Sequence, residues 1–149
     1  MSADLEALAE LGRRMVDQTP QAGALGLRFV SVAPGVAVIE APYRDDLVGD
    51  PATGVMAGGV VTSLLDHVCG LAIKAAALDF NATATLDLRI DYMRPAEPRR
   101  GVIGRAHCYK LTRSIAFVRA TAFEDDPDDP IATAQGAFVL SGAPAKAAT

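Results

Sequence analysis

The sequence contains no tryptophan, only two cysteines, and few other aromatic side chains: three tyrosines and five phenylalanines among 149 residues. Basic residues are also in the minority, with 14 Lys and Arg against 18 Asp and Glu. A net charge of −4 argues against a general nucleic-acid-binding protein, which would carry a basic stripe. The sequence has no apolar run of about 18 residues, so we expect no membrane-spanning helix and no membrane partner.

Cys69 and Cys108 lie in apolar segments and cannot form a zinc site by themselves, so we expect no bound metal. The first residues are acidic before they are basic and include no long apolar stretch, which is not typical of a signal peptide. Half of all residues are apolar and 21% are charged, a composition that supports one packed core. We therefore expect a single cytoplasmic domain over residues 1–149.

Two segments have the apolar spacing of helices. Leu5, Leu8, Leu11 and Met15 predict an amphipathic N-terminal helix over about residues 3–17. The segment 58–77 is apolar on nearly every face, which predicts a long helix buried in the core. The small residues at 141–149 predict a frayed C-terminal tail.

The other apolar runs predict strands. Runs at 25–32 and 36–41 flank a Pro-Gly turn and predict a hairpin, and the residues at 43–57 predict a loop. After the long helix, Leu86, Leu88, Ile90 and Tyr92 alternate with other side chains, which predicts a strand with one covered face. Three more strands are predicted at 102–111, 115–123 and 131–140. No helices separate these strands, so we predict an α+β fold with an antiparallel β-sheet around the long helix.

Asp66 is the most informative residue of the long helix. A carboxylate in an otherwise apolar helix is costly unless it is paired or hydrogen-bonded. Lys74 lies too far round the helix to pair with it, whereas Thr62 and Ser63 are one turn back and could donate hydrogen bonds. Two interpretations stay open: a structural Asp held by hydroxyls or by a subunit interface, and a catalytic carboxylate.

Gly58 and Gly59 begin the same helix. Without side chains they leave the first N–H groups open to a ligand, and such a helix end can polarise a carbonyl. The alternative is that the glycines serve only a tight turn. Asp66 lies about 12 Å further along the helix, too far for both features to act on one carbonyl. Two antiparallel copies would bring Gly58 of one chain to Asp66 of the other, so catalysis by both requires at least a dimer.

Two stretches and one turn resemble a known family. Residues 47–66, LVGDPATGVMAGGVVTSLLD, resemble the loop and helix start of hotdog-fold acyl-CoA thioesterases, especially the phenylacetate-pathway (PaaI-like) group. Residues 86–96, LDLRIDYMRPA, are similar to that family's following strand, which often ends in Arg-Pro. The turn Thr112-Arg113-Ser114 is also similar, and the resemblance covers about residues 25–140.

This resemblance implies a hotdog fold, an acyl-CoA substrate, and homodimers, often homotetramers, with sites at the subunit interface. It implies hydrolysis of acyl-CoA thioesters without a metal, and we expect no cofactor. In the family, the acidic residue at the Asp66 position acts as general base or nucleophile. The backbone N–H at the Gly58 position polarises the thioester carbonyl.

Six further residues are predicted to contact the substrate. Gly59 and Ser63 lie beside the predicted catalytic groups, and Asp50 and Thr53 could line the acyl or pantetheine path. Arg94 and Arg113 lie near strand ends, where guanidinium groups suit the phosphates of CoA, although solvated surface arginines are the alternative.

The sequence departs from the family at Ala57, where the family usually has a histidine before the two glycines. A non-hydrolytic acyl-CoA-binding protein is therefore an alternative function. A dehydratase or hydratase on the same fold is a third. It would need a histidine beside the acid, and neither His67 nor His107 is suitably placed.

Overall fold

The computed structural model describes residues 2–77 and 83–141, so part of the predicted tail, residues 142–149, lies outside the described residues. The helices are α1 (Ser2–Asp17), α2 (Pro20–Ala24) and α3 (Gly58–Ala77). The strands are β1 (Arg28–Ala33), β2 (Val36–Ala41), β3 (Val48–Asp50), β4 (Val55–Met56), β5 (Thr83–Tyr92), β6 (Val102–Leu111), β7 (Ile115–Phe123) and β8 (Ala132–Leu140).

Six strands form one antiparallel sheet in the order β1-β2-β6-β7-β8-β5, and β3 pairs with β4 in a separate ribbon. The long helix α3 packs against this sheet, mainly on β2, β6 and β7. Gly104 in β6 permits the close approach, because a Cβ there would lie 2.9 Å from Cγ of Leu64. The predicted antiparallel sheet around a long central helix is confirmed.

The sheet covers only one side of α3. Ten residues of the helix are buried, including Leu64, Leu65 and Val68. The opposite side is only partly covered by the rest of the chain, and we call it the open stripe; its members are Gly59, Thr62, Ser63, Asp66 and Gly70. The predicted long helix in the core is confirmed, and the open stripe is the part of it that the described chain leaves partly uncovered, because one curved sheet cannot enclose every face of a helix.

The length and apolar composition of α3 would also allow it to cross a membrane. More than half of the relevant window is buried inside the fold, however, and the core helix of a soluble protein meets the same criteria. The packing of α3 against the sheet therefore accounts for its apolar composition.

Strand β5 differs from the predicted alternation because it contains a bulge. Its pairing with β8 shifts between Thr85 and Asp87, so Leu86 is the extra residue and 59% of its surface is exposed. A bulge moves the residues on one side of it to the other face of the sheet. Thr85, opposite the buried Phe138, therefore lies on the helix side of the sheet, and the predicted place of Leu86 on the covered face is wrong.

The predicted hairpin is confirmed, but its first strand begins at Arg28 and not at residue 25. Pro20 begins the short helix α2, where its missing N–H costs nothing. Gly26 then turns the chain with φ of +68°, a conformation that glycine adopts without strain. This turn delays the start of the strand.

Candidate active site

The N-terminal end of α3 presents free hydrogen-bond donors. Val60 N–H donates to the carbonyl of Ala57 at 3.0 Å, but the N–H groups of Gly58 and Gly59 have no backbone acceptor within the described residues. Both glycines are exposed. The first N–H groups of a helix carry its positive partial charge, so this end can bind a carbonyl oxygen or an oxyanion.

Asp66 lies half-buried on the open stripe of α3, two turns beyond these donors. Thr85 of β5 donates its hydroxyl to Oδ1 of Asp66 at 2.7 Å, and the described residues supply no donor to Oδ2. One carboxylate oxygen is thus held by a hydrogen bond from the described chain and the other is not. The predicted donors Thr62 and Ser63 show no bond to it within the described residues, and the hydroxyl of Thr62 contacts the carbonyl of Gly58 and the hydroxyl of Tyr92 instead.

Tyr92, at the other end of β5, holds the start of the same helix. Its hydroxyl donates to the carbonyl of Gly58 at 2.8 Å and lies 2.5 Å from the hydroxyl of Thr62. One strand therefore anchors both predicted catalytic elements of α3: Tyr92 fixes the donor end, and Thr85 fixes the carboxylate.

The loop before α3 is ordered without a histidine. Ala57 N–H donates to the carbonyl of Leu47 at 2.8 Å, and a Cβ on Gly49 would lie only 2.8 Å from Cα of Ala57. In the same loop, Asp50 accepts hydrogen bonds from Ala52 N–H and from the hydroxyl of Thr53. Asp50 and Thr53 are therefore committed to the turn, although both stay exposed at its surface.

Arg94 lies near a strand end, as predicted, two residues after β5, and its guanidinium is bound within the chain. It binds both carboxylate oxygens of Glu124 and also Oδ1 of Asp129, and it donates to the carbonyls of Pro95 and Asp129. These five bonds use all five N–H donors of a guanidinium. The prediction that Arg94 binds CoA phosphate therefore finds no support in this geometry, because the group has no donor left.

Glu124 is buried, with 6% of its surface exposed, and it also accepts the N–H of Glu97 at 2.7 Å. Burial by itself raises the pKa of this carboxyl, but the hydrogen bonds from Arg94 and Glu97 outweigh it. The net result is a pKa of Glu124 below its ordinary value. Glu124 and Arg94 form an ion pair in which both carboxylate oxygens and all the guanidinium donors are hydrogen-bonded within the chain.

The remaining predicted residues fall in two places. Ser63 shares the open stripe with Gly59 and Asp66, half-buried. Arg113 is exposed at the tip of the β6–β7 hairpin, where no residue of the described chain pairs with its guanidinium. The structure thus groups Gly59, Ser63 and Asp66 on the open stripe, with Gly58 at the start of the same helix, and leaves Arg113 apart from them.

His67 is next to Asp66 in sequence but is directed elsewhere. Its Nε2 lies 3.1 Å from the carbonyl of Met15, so the ring joins α3 to α1. Burial lowers the pKa of His67, which favours the neutral ring. Burial also raises the pKa of the Cys69 thiol, which keeps it protonated and unreactive.

The sequence reasoning missed Thr85 and Tyr92. In the sequence Tyr92 is one member of an alternating strand, and this pattern does not indicate a partner for its hydroxyl. The contact of Thr85 with the helix could not be predicted from the sequence alone, because its place on the helix side of the sheet depends on the bulge at Leu86.

Comparisons with known proteins identify the family of this chain. The family model of the thioesterase superfamily matches residues 53–131, more than half of the chain. The chain belongs to the thioesterase superfamily. The predicted hotdog fold is thereby confirmed, and so is the prediction of a thioester-hydrolysing enzyme at the level of the superfamily.

The medium/long-chain acyl-CoA thioesterase YigI of Salmonella typhimurium is 30% identical over 64% of this chain and 70% of its own length. A crystal structure of a Pseudomonas aeruginosa protein is 40% identical, with a TM-score of 0.82 over 89% of this chain and 98% of that one. A mutant of the phenylacetic acid degradation protein PaaI of Thermus thermophilus is 29% identical, with a TM-score of 0.70 over 82% of this chain and 99% of that one.

Proposed function

We propose that this protein hydrolyses acyl-CoA thioesters to the free acid and CoA, at sites that two subunits share. The observation that carries the proposal is the half-satisfied carboxylate of Asp66, whose Oδ1 is fixed by Thr85 while Oδ2 has no donor from the described chain. The name of the relative YigI supports the substrate class.

The edge of the sheet supports a shared site. Strand β5 has a neighbour, β8, on one side only, and it exposes Leu86 and Tyr92, with 59% and 51% of their surfaces free. An exposed strand edge with apolar side chains favours pairing with a second chain. Antiparallel pairing of two β5 strands places the Thr85 end of one against the Tyr92 end of the other. Since Thr85 holds Asp66 and Tyr92 holds Gly58, this pairing brings the carboxylate of one subunit towards the donor end of its partner.

In the proposed reaction, Asp66 accepts a proton from water while the oxygen adds to the thioester carbon. The carbonyl oxygen becomes an oxyanion, which the N–H of Gly58 of the partner subunit stabilises. The C–S bond then breaks, and the proton held by Asp66 passes to the departing CoA sulfur. Direct attack by Asp66, with an acyl-enzyme that water hydrolyses, is the other course of the same reaction. The homodimer, its homotetramer and a cytoplasmic location belong to this proposal.

Ala57 favours a second candidate, an acyl-CoA-binding protein without hydrolysis, because no imidazole stands beside the carbonyl site. The hydrogen bond from Ala57 N–H to Leu47 argues for hydrolysis, since the loop keeps its form without that ring. The backbone donor at Gly58 is also retained.

The test uses two variants that damage different halves of a shared site. Asp66→Asn removes the base, and Gly58→Pro removes the N–H at a helix position that accepts proline. Gly58→Ala is the matched control, because its N–H remains and its Cβ would lie at ordinary contact distance, 3.8 Å, from Tyr92. Each variant is purified alone, and the two are also co-expressed with different affinity tags so that mixed dimers can be isolated.

We expect Asp66→Asn and Gly58→Pro to be nearly inactive in release of CoA thiol, and Gly58→Ala to stay active. A mixed dimer holds one intact site of two and should recover about half of the wild-type activity. Inactive mixed dimers would contradict the shared site. Full thiol release by Asp66→Asn would reject the mechanism, and retention of acyl-CoA without thiol release by the wild type would favour the binding protein.

A further inference from the structure

A pocket of about 380 Å³ opens beside the donor end of α3. Gly58 is part of its wall, and the remaining surface is mostly apolar, with Val55, Met93, Ala96 and Ile131 among the lining residues. Its volume lies near the lower end of the range for small-molecule sites, about 300–1,000 Å³. The pocket is therefore continuous with the place where the thioester carbonyl would bind.

The polar side chains in the wall of this pocket, those of Arg94 and Tyr92, are already hydrogen-bonded within the chain. Arg94 lines it, but all five N–H donors of its guanidinium bind Glu124, Asp129 and Pro95. The hydroxyl of Tyr92, which also lines it, is bound to the carbonyl of Gly58. A hydroxyl on a ligand buried here would thus lose its water without gaining a side-chain partner from the described chain.

We propose that this pocket takes the acyl group of the substrate and selects an unsubstituted alkyl chain of medium length. The inference rests on the proposed hydrolysis of acyl-CoA thioesters, which places the carbonyl carbon at Gly58. The alkyl chain then extends between Met93 and Ala96, where flexible and small apolar side chains give it room. The small volume sets the upper limit on length.

The first measurement is kcat/KM for a series of saturated acyl-CoA thioesters, followed by thiol release. Each added methylene that enters the pocket should raise kcat/KM by about fourfold until the pocket is full. Octanoyl-CoA should exceed 8-hydroxyoctanoyl-CoA by about tenfold or more, because the terminal hydroxyl would be buried without a partner. Equal rates along the series, or a preference for the hydroxylated chain, would overturn the proposal.

The second measurement uses Ala96→Leu, which fills the pocket, and Ala137→Leu as its matched control. Ala137 lies on the opposite face of the sheet, beside Asp87 and Phe117. The readout is the ratio of kcat/KM for octanoyl-CoA to that for butanoyl-CoA in one preparation, which does not depend on the folded fraction. Ala96→Leu should lower this ratio about tenfold or more, and Ala137→Leu should leave it unchanged.

Failure of this proposal can be told apart from failure of the hydrolase. An unchanged ratio in Ala96→Leu, with thiol release intact, would overturn the acyl pocket and leave the hydrolase standing. If no thioester is cleaved, the pocket is tested by calorimetric binding of octanoyl-CoA and butanoyl-CoA to the wild type and to Ala96→Leu. Tighter binding of octanoyl-CoA that Ala96→Leu abolishes would support the pocket, and equal binding of both ligands would overturn it.

Discussion

Two carboxylates in this protein have opposite environments. Glu124 is buried and accepts hydrogen bonds from Arg94 and from Glu97 N–H. Asp66 lies half-buried on the open stripe of α3 and accepts one bond, from Thr85. A carboxylate whose oxygens are all bound stabilises the fold, whereas one with a free oxygen on an uncovered face can react.

The same comparison holds for the elements that carry the two residues. Glu124 lies directly after β7, against the loop that follows β5, where both partners come from the same chain. Asp66 lies beside the sheet edge formed by β5, which has a free side. The pair of Glu124 and Arg94 is complete within one chain, whereas the open stripe of α3 is where we propose that a second subunit and the substrate bind.

The largest expected effect on activity comes from removing the charge of Asp66. Asp66→Asn should lower kcat/KM for acyl-CoA by about a thousandfold, because the general base is lost. Its stability should stay within about 0.5 kcal/mol of the wild type, because Thr85 can still donate to the amide oxygen. Activity is measured by thiol release and stability by urea unfolding. A strongly destabilised Asp66→Asn would assign this residue to the structural class instead.

Glu124→Gln should behave in the opposite way. It weakens the bonds from Arg94 and leaves that guanidinium partly unpaired, so unfolding should become easier by about 2–3 kcal/mol. The kcat of the fraction that remains folded should be close to that of the wild type. A loss of kcat in a well-folded Glu124→Gln would break the division between the two carboxylates.

Thr85 should have a smaller effect on activity. Thr85→Val removes the hydroxyl that holds Oδ1 of Asp66 and should lower kcat by about tenfold, since the carboxylate loses its fixed orientation. Thr85→Ser keeps the hydroxyl and should retain most of the activity. If Thr85→Val and Thr85→Ser were equally active, the hydrogen bond would have no part in positioning Asp66.

The smallest expected effect is on acid stability. The folded chain lowers the pKa of Glu124, so this group stabilises the fold above its unfolded value of about 4.3. That contribution is lost as pH falls through the lower, folded value. Arg94→Gln should therefore be less stable at neutral pH and lose less further stability on acidification than the wild type. Urea unfolding between about pH 7 and pH 3 measures this, and parallel curves for both proteins would contradict it.

Much of the fold could be predicted from apolar spacing. The long helix Gly58–Ala77, the three strands after β5 and the α+β class followed from periodicity, because the period of burial is local to each element. The start of β1 at Arg28 was missed, because Leu25 at the start of the apolar run caps α2 and Gly26 then turns the chain with a positive φ.

The candidate site was predicted in part. Asp66, Gly58 and Gly59 stood out because a carboxylate and a glycine pair are unusual in such an apolar helix. Arg94 was assigned to phosphate because a guanidinium suits that group, yet its partner Glu124 lies 30 residues away in sequence. Spacing within one element carries no information about such a partner.

The sequence by itself determined that a long apolar helix carries one acid and begins with two glycines, since these are properties of neighbouring residues. Only the tertiary structure decided which groups hold them. One extra residue at Leu86 turns Thr85 towards Asp66, and the pairing of β5 with β8 sets Tyr92 against Gly58. Strand register is fixed by contacts between distant segments, so the arrangement of this site depends on the folded sheet.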